Sequence, residues 1–495
     1  MDKESTIVLI QPTVRVGKER QRRIGLPLGL LAIGTPLDLA GYRVKIIDQY
    51  FEPDWKRLLS DELKRNPICV GISSKTGPQI RYALEASSFV KSRSSVPVVW
   101  GGVHPTLLPE QTLANENIDI IVRGEGEESF FALVKCLEQG GDLSGVKGIF
   151  YKENGQIKST PRRAFIDLNA QPSPSYHLVD MDRYKVRLFG VDHVRFCSSR
   201  GCPYRCGFCY NVVFSHKKWR ALSPERTVEE LTRLRREYGI RGFTLADDFF
   251  FFDLERVRKI LTLIVENRLD IVFSKLDTHG GELSKLDDSF LELMHKAGCK
   301  TLVVGVESAS ERILKLIRKN ISVADILDFN RRVQKFDIVT KYCFMLGFPT
   351  ETRSDIDATV SFILKLLEDN PNIVKDINLY TPYPGTELYD LAIREGLKPP
   401  ERLEDWISYN WSTLNRANTP WITDDRETLL RMLHFSSLFL EKSYYLDPIR
   451  ATDQGVIRLA RIYHPFAKLR MKYRFFRFPI EIKLAELFGY YPRQA

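Results

Sequence analysis

The first 140 residues alternate short apolar runs with segments of helical periodicity. Continuous apolar runs separated by helices indicate strands of a parallel sheet that is covered on both faces. The predicted strands are Thr6–Ile10, Arg43–Ile47, Ile68–Ile72, Val96–Trp100 and Asp119–Val122. The predicted helices include Leu28–Ala40, Trp55–Lys64, Pro78–Lys91 and Glu127–Gln139. Five such units predict an α/β, doubly wound, flavodoxin-like domain over residues 1–140.

Residues 141–190 interrupt this pattern. The dipeptide Asn154-Gly155 separates two short extended stretches, which predicts a hairpin with a two-residue turn. The chain from there to about Val191 is rich in Pro, Ser and Asp and has little periodicity. We therefore interpret residues 141–190 as a linker that contains a hairpin.

A second alternating series covers residues 191–386. Its predicted strands are His193–Cys197, Gly242–Ala246, Ile271–Lys275, Thr301–Val306, Val339–Leu346 and Ile377–Thr381. Amphipathic helices are predicted near 224–238, 253–267, 284–297, 322–335 and 353–369. Six β/α units of this length predict a partial (β/α)6 barrel rather than a closed eight-stranded one. Residues 387–495 read as a helical C-terminal region, with a strong helix candidate at Arg426–Tyr445.

Composition agrees with a globular protein of several domains. At 495 residues the chain is too long for one ordinary core, and 43% hydrophobic with 27% charged residues is typical of globular proteins. The N-terminus lacks the basic, long-apolar, small-residue order of a secretory signal, and no apolar run reaches 18 residues. We therefore expect a cytoplasmic protein.

The net charge of +10 is concentrated at the C-terminal end of the chain. Residues 450–495 carry ten Lys and Arg against three acidic residues, and the aromatic and basic side chains interleave in Tyr473–Phe478. The tail is interpreted first as a solvated or packed surface. The second interpretation is contact with a membrane surface or with an anionic substrate. Nucleic acid is not expected, because no recognisable binding module accompanies the charge.

Three of the eight cysteines crowd into the segment Cys202-Pro-Tyr-Arg-Cys206-Gly-Phe-Cys209. This segment follows the first strand of the second series, and active sites of such folds gather at the carboxyl ends of strands. Three thiolates can hold three irons of a cubane cluster and leave one iron open for a substrate. A closed zinc site would need a fourth ligand, for which Cys197 and His216 are the nearest candidates. Unrelated cysteines are the other alternative.

The cysteine spacing, with an aromatic residue before the third cysteine, resembles the signature of the radical S-adenosylmethionine (SAM) superfamily. Four further segments, each at the end of a predicted strand, extend the resemblance over residues 193–386. They are Ala246-Asp247-Asp248, Gly305-Val-Glu307-Ser308, Met345–Glu351 and Tyr380–Thr386. The resemblance implies that Cys202, Cys206 and Cys209 ligate a [4Fe–4S] cluster and that Phe208 packs on adenine. It also implies that Asp247, Glu307 and Ser308 contact the bound nucleoside, although Asp247 departs from the commoner Gly-Gly-Glu pattern. The alternative for Glu307 is a strand-end carboxylate that pairs with a Lys or Arg.

Small residues follow three consecutive predicted strands of the N-terminal domain. They are Ser73-Ser74, then Gly101-Gly102 with His104, then Gly124-Glu125-Gly126. Small residues at strand ends let a large planar ligand approach the backbone. Together these turns resemble the cobalamin-binding domain of cobalamin-dependent radical SAM enzymes, over roughly residues 5–140.

The resemblance implies that Ser73, Ser74, Gly101, Gly102, Glu125 and Gly126 contact cobalamin. The Asp-x-His-x-x-Gly motif that supplies the cobalt-ligating histidine of many cobalamin proteins is absent. The corrin is therefore expected to bind without a histidine below cobalt. His104 is either a substitute ligand or a hydrogen-bond partner. Loss of the cofactor by this domain is the remaining alternative.

The family implies methylation of an unactivated carbon through a 5′-deoxyadenosyl radical and methylcobalamin. The expected partners are a small or amphipathic organic substrate and an electron donor such as flavodoxin or ferredoxin. The alternative is a radical oxidative cyclase of the magnesium-protoporphyrin monomethyl ester type, which the segment Trp219-Arg220…Ser223-Pro224-Glu225 resembles. A methylthiotransferase would need a second cysteine triad. A non-catalytic iron–sulfur sensor or electron carrier is the alternative of another class.

Overall fold

The computed structural model describes residues 5–13, 25–409, 415–440 and 454–487, with the side chains of 454–459 excepted. The chain separates into two compact units. The first contains Met1–Lys185, Val213–His216 and Pro399–Asn410. The second contains Val186–Val212, Lys217–Lys398 and Trp411–Ala495.

The first unit is built on a twisted sheet whose first five strands are parallel. They are β1 (Thr6–Gln11), β2 (Arg43–Asp48), β3 (Cys69–Ser73), β4 (Val98–Gly101) and β5 (Ile120–Val122). Their spatial order is β2-β1-β3-β4-β5, the flavodoxin-like order, so the predicted fold class is confirmed. The helices are α1 (Leu28–Leu39), α2 (Trp55–Leu63), α3 (Gln79–Lys91), α4 (Val103–Leu107), α5 (Pro109–Leu113) and α6 (Glu127–Glu138). The central strand β1 is fully buried from Ile7 to Ile10, as its continuous apolar run requires.

The predicted hairpin is part of this sheet rather than of a linker. Strands β6 (Ile149–Glu153) and β7 (Gln156–Ser159) are antiparallel, and β6 pairs with β5. Asn154 and Gly155 both have positive φ (50° and 75°), as the tight turn demands. The chain up to Lys185 also belongs to the first unit, so the interpretation of residues 141–190 as a linker is corrected at this point. The interpretation differs from the structure because β6 pairs with β5, which is distant along the chain, and local composition does not reveal such pairing.

The second unit contains an open sheet of six parallel strands with one antiparallel edge strand. The strands are β8 (Val186–Leu188), β9 (Val191–Phe196), β12 (Gly242–Leu245), β13 (Val272–His279), β14 (Thr301–Glu307), β15 (Val339–Leu346) and β16 (Ile373–Leu379). They lie side by side in the order β16-β15-β14-β13-β12-β9-β8, which confirms the partial barrel. The short strands β10 (Ser199–Arg200) and β11 (Arg220–Ala221) form a separate antiparallel pair.

Helices follow the parallel strands and cover the outside of this sheet. They are α7 (Asn211–Phe214), α8 (Pro224–Tyr238), α9 (Leu254–Glu266), α10 (Asp288–Lys296), α11 (Glu311–Leu316), α12 (Val323–Val333), α13 (Arg353–Asp369) and α14 (Glu387–Arg394). All but α7 begin with a side chain that accepts a hydrogen bond from the helix backbone: Ser223, Asp253, Asp287, Ser310, Ser322, Thr352 and Thr386. Each such cap contributes about 1 kcal/mol and fixes where the helix starts. The caps therefore define the loops at the carboxyl ends of the strands.

The last strand lies earlier in the chain than the hydrophobic pattern predicts. We expected Ile377–Thr381, whereas β16 covers Ile373–Leu379. Lys375 interrupts the apolar run, which made the first half of the strand look polar, yet this residue is only 1% exposed. The hydrophobic pattern treats Lys375 as a polar position because it is charged, although the aliphatic part of its side chain can be buried.

The C-terminal helices pack on the second unit. They are α15 (Asp424–Ser437), α16 (Gln454–Tyr473) and α17 (Ile480–Leu487). The predicted helix Arg426–Tyr445 thus begins two residues earlier, and residues 441–445 lie outside the described residues. Trp421 donates to the Gly347 carbonyl at 3.0 Å, next to the end of β15. Within the described ranges, none of the helices combines the length and the apolar character needed to cross a membrane.

A buried ion pair joins α15 to the loop after β15. Arg426 Nη2 lies 3.2 Å from Glu351 Oε2, and the same oxygen accepts from the Gly347 amide at 2.7 Å. The Glu351 side chain has no exposed surface, and its Oε1 has no hydrogen-bond partner. Burial raises the pKa of Glu351 to about 7, against the lowering effects of Gly347 and Arg426.

This pKa predicts a pH dependence of stability. The folded chain binds the Glu351 proton more tightly than the unfolded chain, so this contribution is complete below about pH 4.5 and is lost as the pH rises to about 7. Glu351→Gln, which keeps the shape without the charge, should remove up to about 3 kcal/mol of this pH dependence. Urea unfolding of both proteins near pH 5 and above about pH 7.5 measures it. An identical difference between the two proteins at both pH values would contradict the prediction.

Candidate functional site

The three clustered cysteines lie in the loop that leaves β9 by way of the short strand β10. This loop turns at Gly201, whose φ of +86° is a conformation that suits glycine. The Gly201 amide donates to Asp248 Oδ2 at 2.8 Å, so the start of the loop is tied to the residues that follow β12. Cys202, Cys206 and Cys209 are all within the described residues, and none forms a disulfide.

The backbone of Gly207 holds the middle of the cysteine loop between two helices. Its amide donates to the Ile317 carbonyl at the end of α11, and its carbonyl accepts from the Leu388 amide in α14, both at 2.9 Å. A Cβ at Gly207 would lie 2.8 Å from Leu388 Cδ1, so a larger residue would push the helix away. The glycine between the second and third cysteines therefore permits close packing of the loop.

The three thiols have little access to water: Cys206 is buried, and Cys202 and Cys209 are half-buried. Burial raises the pKa of Cys202 to about 11 and that of Cys209 to about 12, and it also raises the pKa of Cys206. The charge of Cys206 raises the pKa of Cys202, and the charges of Cys206 and Cys202 raise the pKa of Cys209. Lys319 acts in the opposite direction on Cys202 and Cys206, because its positive charge favours a thiolate.

A buried ion pair stands beside these thiols. Lys319 Nζ and Glu307 Oε1 are 2.9 Å apart, and the two side chains are 6% and 10% exposed. Burial works to lower the pKa of Lys319, but the charges of Glu307 and Cys206 outweigh it, so the pKa is raised and the ammonium persists. Burying two charges costs desolvation free energy, so such a pair is expected where the charges bind a ligand or where each compensates the other.

Local backbone strain creates the space for this pair. Glu307 has φ +68°, an unusual value for a residue other than glycine, and the pairing of β14 with β15 is irregular between Gly305 and Glu307. A Cβ at Gly305 would lie 2.9 Å from both Glu307 Oε1 and Lys319 Nζ. The strand end is thus distorted at the residue that presents a carboxylate, a combination that is common at binding sites.

An aromatic stack anchors the first half of the cysteine loop. The Tyr204 ring lies parallel to the His279 ring at 3.7 Å, and the Tyr204 hydroxyl donates to Glu282. His279 ends β13, and its Nδ1 accepts from the Gly281 amide at 3.1 Å. Burial, together with the charge of Lys319, lowers the pKa of His279 to about 2, so the ring is neutral. Tyr204 therefore connects the loop between two cysteines to the third parallel strand.

The carboxylate of Asp247 is occupied by hydrogen bonds from the turn before the cysteine loop. Its Oδ1 accepts from the Ser198 amide at 2.8 Å, and its Oδ2 accepts from the hydroxyls of Ser198 and Ser199 at 2.7 and 2.6 Å. The carboxylate is buried and braces the turn that precedes the cysteine loop. Asp248, the next residue, is exposed and interacts electrostatically with Cys202 and Cys209. The strand-end acid that faces the thiols is therefore Asp248, which differs from the sequence-based expectation.

Phe208 and Ser308 lie at the same end of the barrel in different settings. Phe208 is half-buried and packs against the apolar cluster of Ile313, Ile317, Phe348, Tyr380 and Leu388. Ser308 is fully buried. Its hydroxyl bonds to the Thr359 hydroxyl and accepts from the Ser310 amide, both at 3.1 Å. The Ser308 side chain therefore shapes the turn into α11.

In the first unit, the turns after β3 and β4 are in direct contact. The Ser74 amide donates to the Gly101 carbonyl at 2.9 Å, and the Ser74 carbonyl accepts from the His104 amide at 3.1 Å. Gly102 has φ +96°, and a Cβ there would lie 2.8 Å from the Ser74 carbonyl and 3.1 Å from Ser73 Oγ. A Cβ at Gly101 would make only an ordinary contact, at 3.7 Å from the Val122 carbonyl. The two strand ends thus form a narrow edge of bare backbone.

The third turn of the first unit joins the same edge. The Gly124 amide donates to Thr106 Oγ1 at 2.9 Å. Glu125 is half-buried, and its Oε2 accepts from the Ile166 amide at 3.3 Å. A Cβ at Gly126 would lie 2.9 Å from Ile33 Cγ2, so this glycine allows α6 to start close to α1.

His104 is enclosed by the first unit. The ring is fully buried, its Nδ1 lies 3.0 Å from Thr76 Oγ1, and Trp406 packs on it edge to face. Burial lowers the pKa of His104 to about 3. Its Nε2 is buried and has no hydrogen-bond partner. This environment fits a structural role in the turn after β4 and does not present the ring at the surface of the unit.

Sequence reasoning missed Lys319, Asp248 and the Tyr204–His279–Glu282 group. Lys319 follows α11 and returns to the strand end only because that helix is short, which no local pattern shows. Tyr204 offered a signal, since it is an aromatic residue inside the cysteine motif. The predicted residues that the structure does bring together in the second unit are Cys202, Cys206, Cys209 and Glu307.

The donor set fits an iron–sulfur cluster. Three thiols without a nearby fourth thiol ligand match a cubane with one open iron, because Cys197 Sγ is directed to the Ser199 carbonyl at 3.2 Å. Among the described residues, no three His, Cys, Asp or Glu side chains are grouped as the ligands of a single metal ion. In the first unit, Gly102 lets the turns after β3 and β4 approach each other closely, and Gly101, where an added Cβ would meet nothing nearer than 3.7 Å, leaves its strand end open to a planar corrin.

Comparison with known proteins gives two family matches. Residues 196–363 match the radical SAM superfamily, and residues 21–134 match the B12-binding domain. The first match contains all three cysteines and Glu307, and the second contains the strand-end turns of the first unit.

Two relatives are similar to this chain over most of its length. The uncharacterized methyltransferase PH0819 of Pyrococcus horikoshii is 33% identical over 452 residues, which cover 89% of this chain and 92% of the relative. The anaerobic magnesium-protoporphyrin IX monomethyl ester cyclase of Synechocystis is 28% identical, over 78% of this chain and 77% of the cyclase.

A solved structure has the same fold. The cobalamin-dependent SAM radical enzyme OxsB, with aqua-cobalamin and SAM bound, superposes with a TM-score of 0.72 at 17% identity, over 98% of this chain and 75% of OxsB. The sequence matches, the fold and the cysteine loop lead to one assignment. This chain belongs to the family of radical SAM proteins that carry a B12-binding domain ahead of the radical SAM domain.

Proposed function

We propose that this protein is a cobalamin-dependent radical SAM enzyme that methylates an unactivated carbon of its substrate. The observation that carries the proposal is the three thiols of one loop beside the buried Glu307–Lys319 ion pair, at the carboxyl end of an open parallel sheet. The B12-binding region in the same chain supports methyl transfer, and so does the 33% identity to a protein named as a methyltransferase.

The chain's residues have separable roles in this proposal. When bound, the cofactors would supply the difficult chemistry, namely an electron for the SAM sulfonium and a transferable methyl group. Cys202, Cys206 and Cys209 would hold the cluster, which requires each thiol to lose its proton. Glu307 and Lys319 bind the zwitterionic end of SAM, since one offers a carboxylate to its ammonium and the other an ammonium to its carboxylate.

Other residues orient the nucleoside and the loop. Phe208, seated on the apolar cluster around Phe348, offers a ring face for adenine. Asp248, rather than Asp247, is proposed to face the SAM amino group, because Asp247 already accepts three hydrogen bonds from the turn before the loop. Ser308 acts through the shape of its turn.

Cobalamin is proposed to bind at the strand ends of the first unit. The contacting residues would be Ser73, Ser74, Gly101, Gly102, Glu125 and Gly126, which supply backbone edges and small side chains. His104 is proposed to support the turn after β4 rather than to ligate cobalt, because its ring is enclosed and bonded to Thr76.

The remaining partners follow from this chemistry. The substrate is a small or amphipathic organic molecule, and the electron donor is a flavodoxin or a ferredoxin. We propose a cytoplasmic location, since all eight cysteines are free thiols and a cluster site needs a reducing compartment. We also propose peripheral membrane contact through the C-terminal region.

A second candidate function is oxidative ring closure. It is favoured by the 28% identity to the anaerobic magnesium-protoporphyrin IX monomethyl ester cyclase of Synechocystis. Methyl transfer and ring closure differ in the mass of the product, because one adds a methyl group and the other forms a ring.

Removal of one cluster thiol tests the central assignment. Cys206→Ala, after anaerobic reconstitution with iron and sulfide, should lose at least about 100-fold of the reductive cleavage of SAM to 5′-deoxyadenosine, because an open-iron cluster needs three thiolates. Chromatography of the quenched reaction measures this product. The matched control is Cys299→Ala, which removes a buried thiol from the same unit and should retain the product. Undiminished 5′-deoxyadenosine from Cys206→Ala would refute the site. A cluster that never cleaves SAM would instead identify a sensor or electron carrier.

Loss of the buried cation tests the SAM site. Lys319→Met should weaken SAM binding to the reconstituted protein by on the order of 100-fold, because it removes a charged partner from a desolvated site and leaves Glu307 unpaired. Equilibrium dialysis measures the dissociation constant, and Lys319→Arg should restore part of it. Lys315→Met, an exposed lysine in α11, is the control and should bind SAM normally. Equal affinities for Lys319→Met and its control would contradict the role.

Filling the strand-end edge tests the corrin site. Gly101→Leu should fold, because a Cβ there makes an ordinary contact, and it should weaken hydroxocobalamin retention by about tenfold or more since the side chain would occupy the strand end where the corrin is proposed to bind. Visible absorbance after gel filtration measures the bound corrin, and Gly145→Leu, at an open position, is the control. His104→Gln should leave the corrin spectrum unchanged. A shift of the cobalt bands in that variant would show that His104 is a cobalt ligand.

A further inference from the structure

The end of the chain carries most of the exposed large apolar side chains of the described residues. Nine of the fourteen lie between residues 462 and 487: Ile462, Phe466, Leu469, Tyr473, Phe475, Phe478, Ile480, Leu484 and Leu487. We call these nine residues the C-terminal apolar face. Single exposed apolar residues are ordinary, but nine of them within 26 consecutive residues indicate an interaction surface.

The face is a regular helical stripe rather than a disordered scatter. In α16, Ile462, Phe466, Leu469 and Tyr473 follow one another at spacings of four, three and four residues, which places them on one side of the helix. In α17, Ile480, Leu484 and Leu487 repeat the pattern. Both helices therefore present an apolar stripe to solvent.

The opposite side of α16 is already used for packing. Ala460, Ala467 and Met471 are buried, and the helix contacts α13 and α15. Arg474 adds a hydrogen bond to Ser361 Oγ at 2.7 Å on α13. The helix thus has two apolar sides, one facing its own unit and one facing solvent, so the stripe is not explained by the fold.

Basic side chains border the stripe. Lys468 and Lys472 are exposed and lie on one flank of the α16 stripe, about a quarter turn of the helix away. Arg477, which precedes α17, and Lys483, which lies in α17, are also exposed. Residues 461–487 contain seven Lys and Arg and only two acidic residues. Both acids are neutralised, because Glu481 pairs with Arg470 at 2.7 Å and Glu486 pairs with Arg431. The surface therefore combines apolar side chains with uncompensated positive charge.

We infer that the C-terminal apolar face is a docking surface for an anionic lipid membrane, on which α16 and α17 lie in the plane of the headgroups. An interfacial helix has apolar side chains directed into the lipid and Lys or Arg at its flanks, where they reach the phosphates. Both features are present, and three aromatic residues at the turn between the helices (Tyr473, Phe475 and Phe478) suit the interfacial region.

A protein partner fits this surface less well. The centres of protein interfaces are depleted of lysine, whereas Lys468, Lys472 and Lys483 accompany the stripes. A second copy of the chain would bring its own row of cations towards the first, which costs free energy in the absence of acidic partners. A bilayer with anionic lipids satisfies the apolar and the charged groups together.

Vesicle flotation of the full-length protein tests the inference. The protein should float with vesicles of phosphatidylcholine and phosphatidylglycerol and much less with vesicles of phosphatidylcholine alone, and high salt should weaken the binding. Phe466→Ser with Leu469→Ser should lower the partition coefficient by tenfold or more, since both side chains would leave the lipid. Lys468→Ala with Lys472→Ala should lower it on the order of 30-fold.

Matched controls separate docking from general damage. Leu39→Ser with Ile393→Ser removes two exposed apolar side chains elsewhere, and Lys147→Ala with Lys158→Ala removes two exposed lysines elsewhere; both proteins should bind vesicles normally. Circular dichroism and thermal unfolding should be unchanged in all four. Cys206→Ala should also bind normally, so that failure of the proposed chemistry and failure of docking are distinguishable.

Three results would overturn the inference. The first is equal flotation with neutral and anionic vesicles, and the second is no flotation at low salt. The third is a loss of flotation in a control as large as in its matched variant. Concentration-dependent dimerisation that Phe466→Ser with Leu469→Ser abolishes would assign the face to a second copy. Competition of vesicle binding by RNA at equal charge concentration would assign it to nucleic acid.

Discussion

Lys319 and Glu307 lie side by side with little access to water, at the end of the sheet where the cysteine loop also lies. Neither charge would be stable there alone, because the desolvation of one unpaired ion costs several kcal/mol. The end of β14 accommodates this pair in two ways. Gly305 has no side chain and leaves space for it, and Glu307 adopts a left-handed backbone conformation. The pair sets the electrostatic environment of the neighbouring thiols.

Much of the architecture could be predicted from the sequence, because buried parallel strands produce continuous apolar runs. Val339–Leu346 was predicted to the residue, and the alternating β and α segments predicted a parallel sheet in each unit. The prediction failed where tertiary contacts decide the outcome. The hairpin of β6 and β7 joins the first sheet through pairing with β5, and the start of β16 is hidden by the buried Lys375.

The site shows the same division. The cysteine spacing was sufficient to locate the thiols, since it is a local pattern. The choice between Asp247 and Asp248 depends on which carboxylate accepts hydrogen bonds from Ser198 and Ser199, and these residues are 49 and 48 positions earlier in the chain than Asp247. Lys319 is twelve residues from Glu307 along the chain, and only the shortness of α11 brings them together. Contacts of this kind need coordinates.

The two hydrogen bonds of the Gly207 backbone have a consequence for assembly. They fix the middle of the cysteine loop to α11 and α14 through contacts made entirely by protein. In the terms of coordination chemistry, the loop is a chelate that folding has largely preorganised. The conformational entropy of ordering the loop is then lost during folding and not when the cluster binds. The loop should therefore bind an incoming cluster more tightly than a loop that must first become ordered.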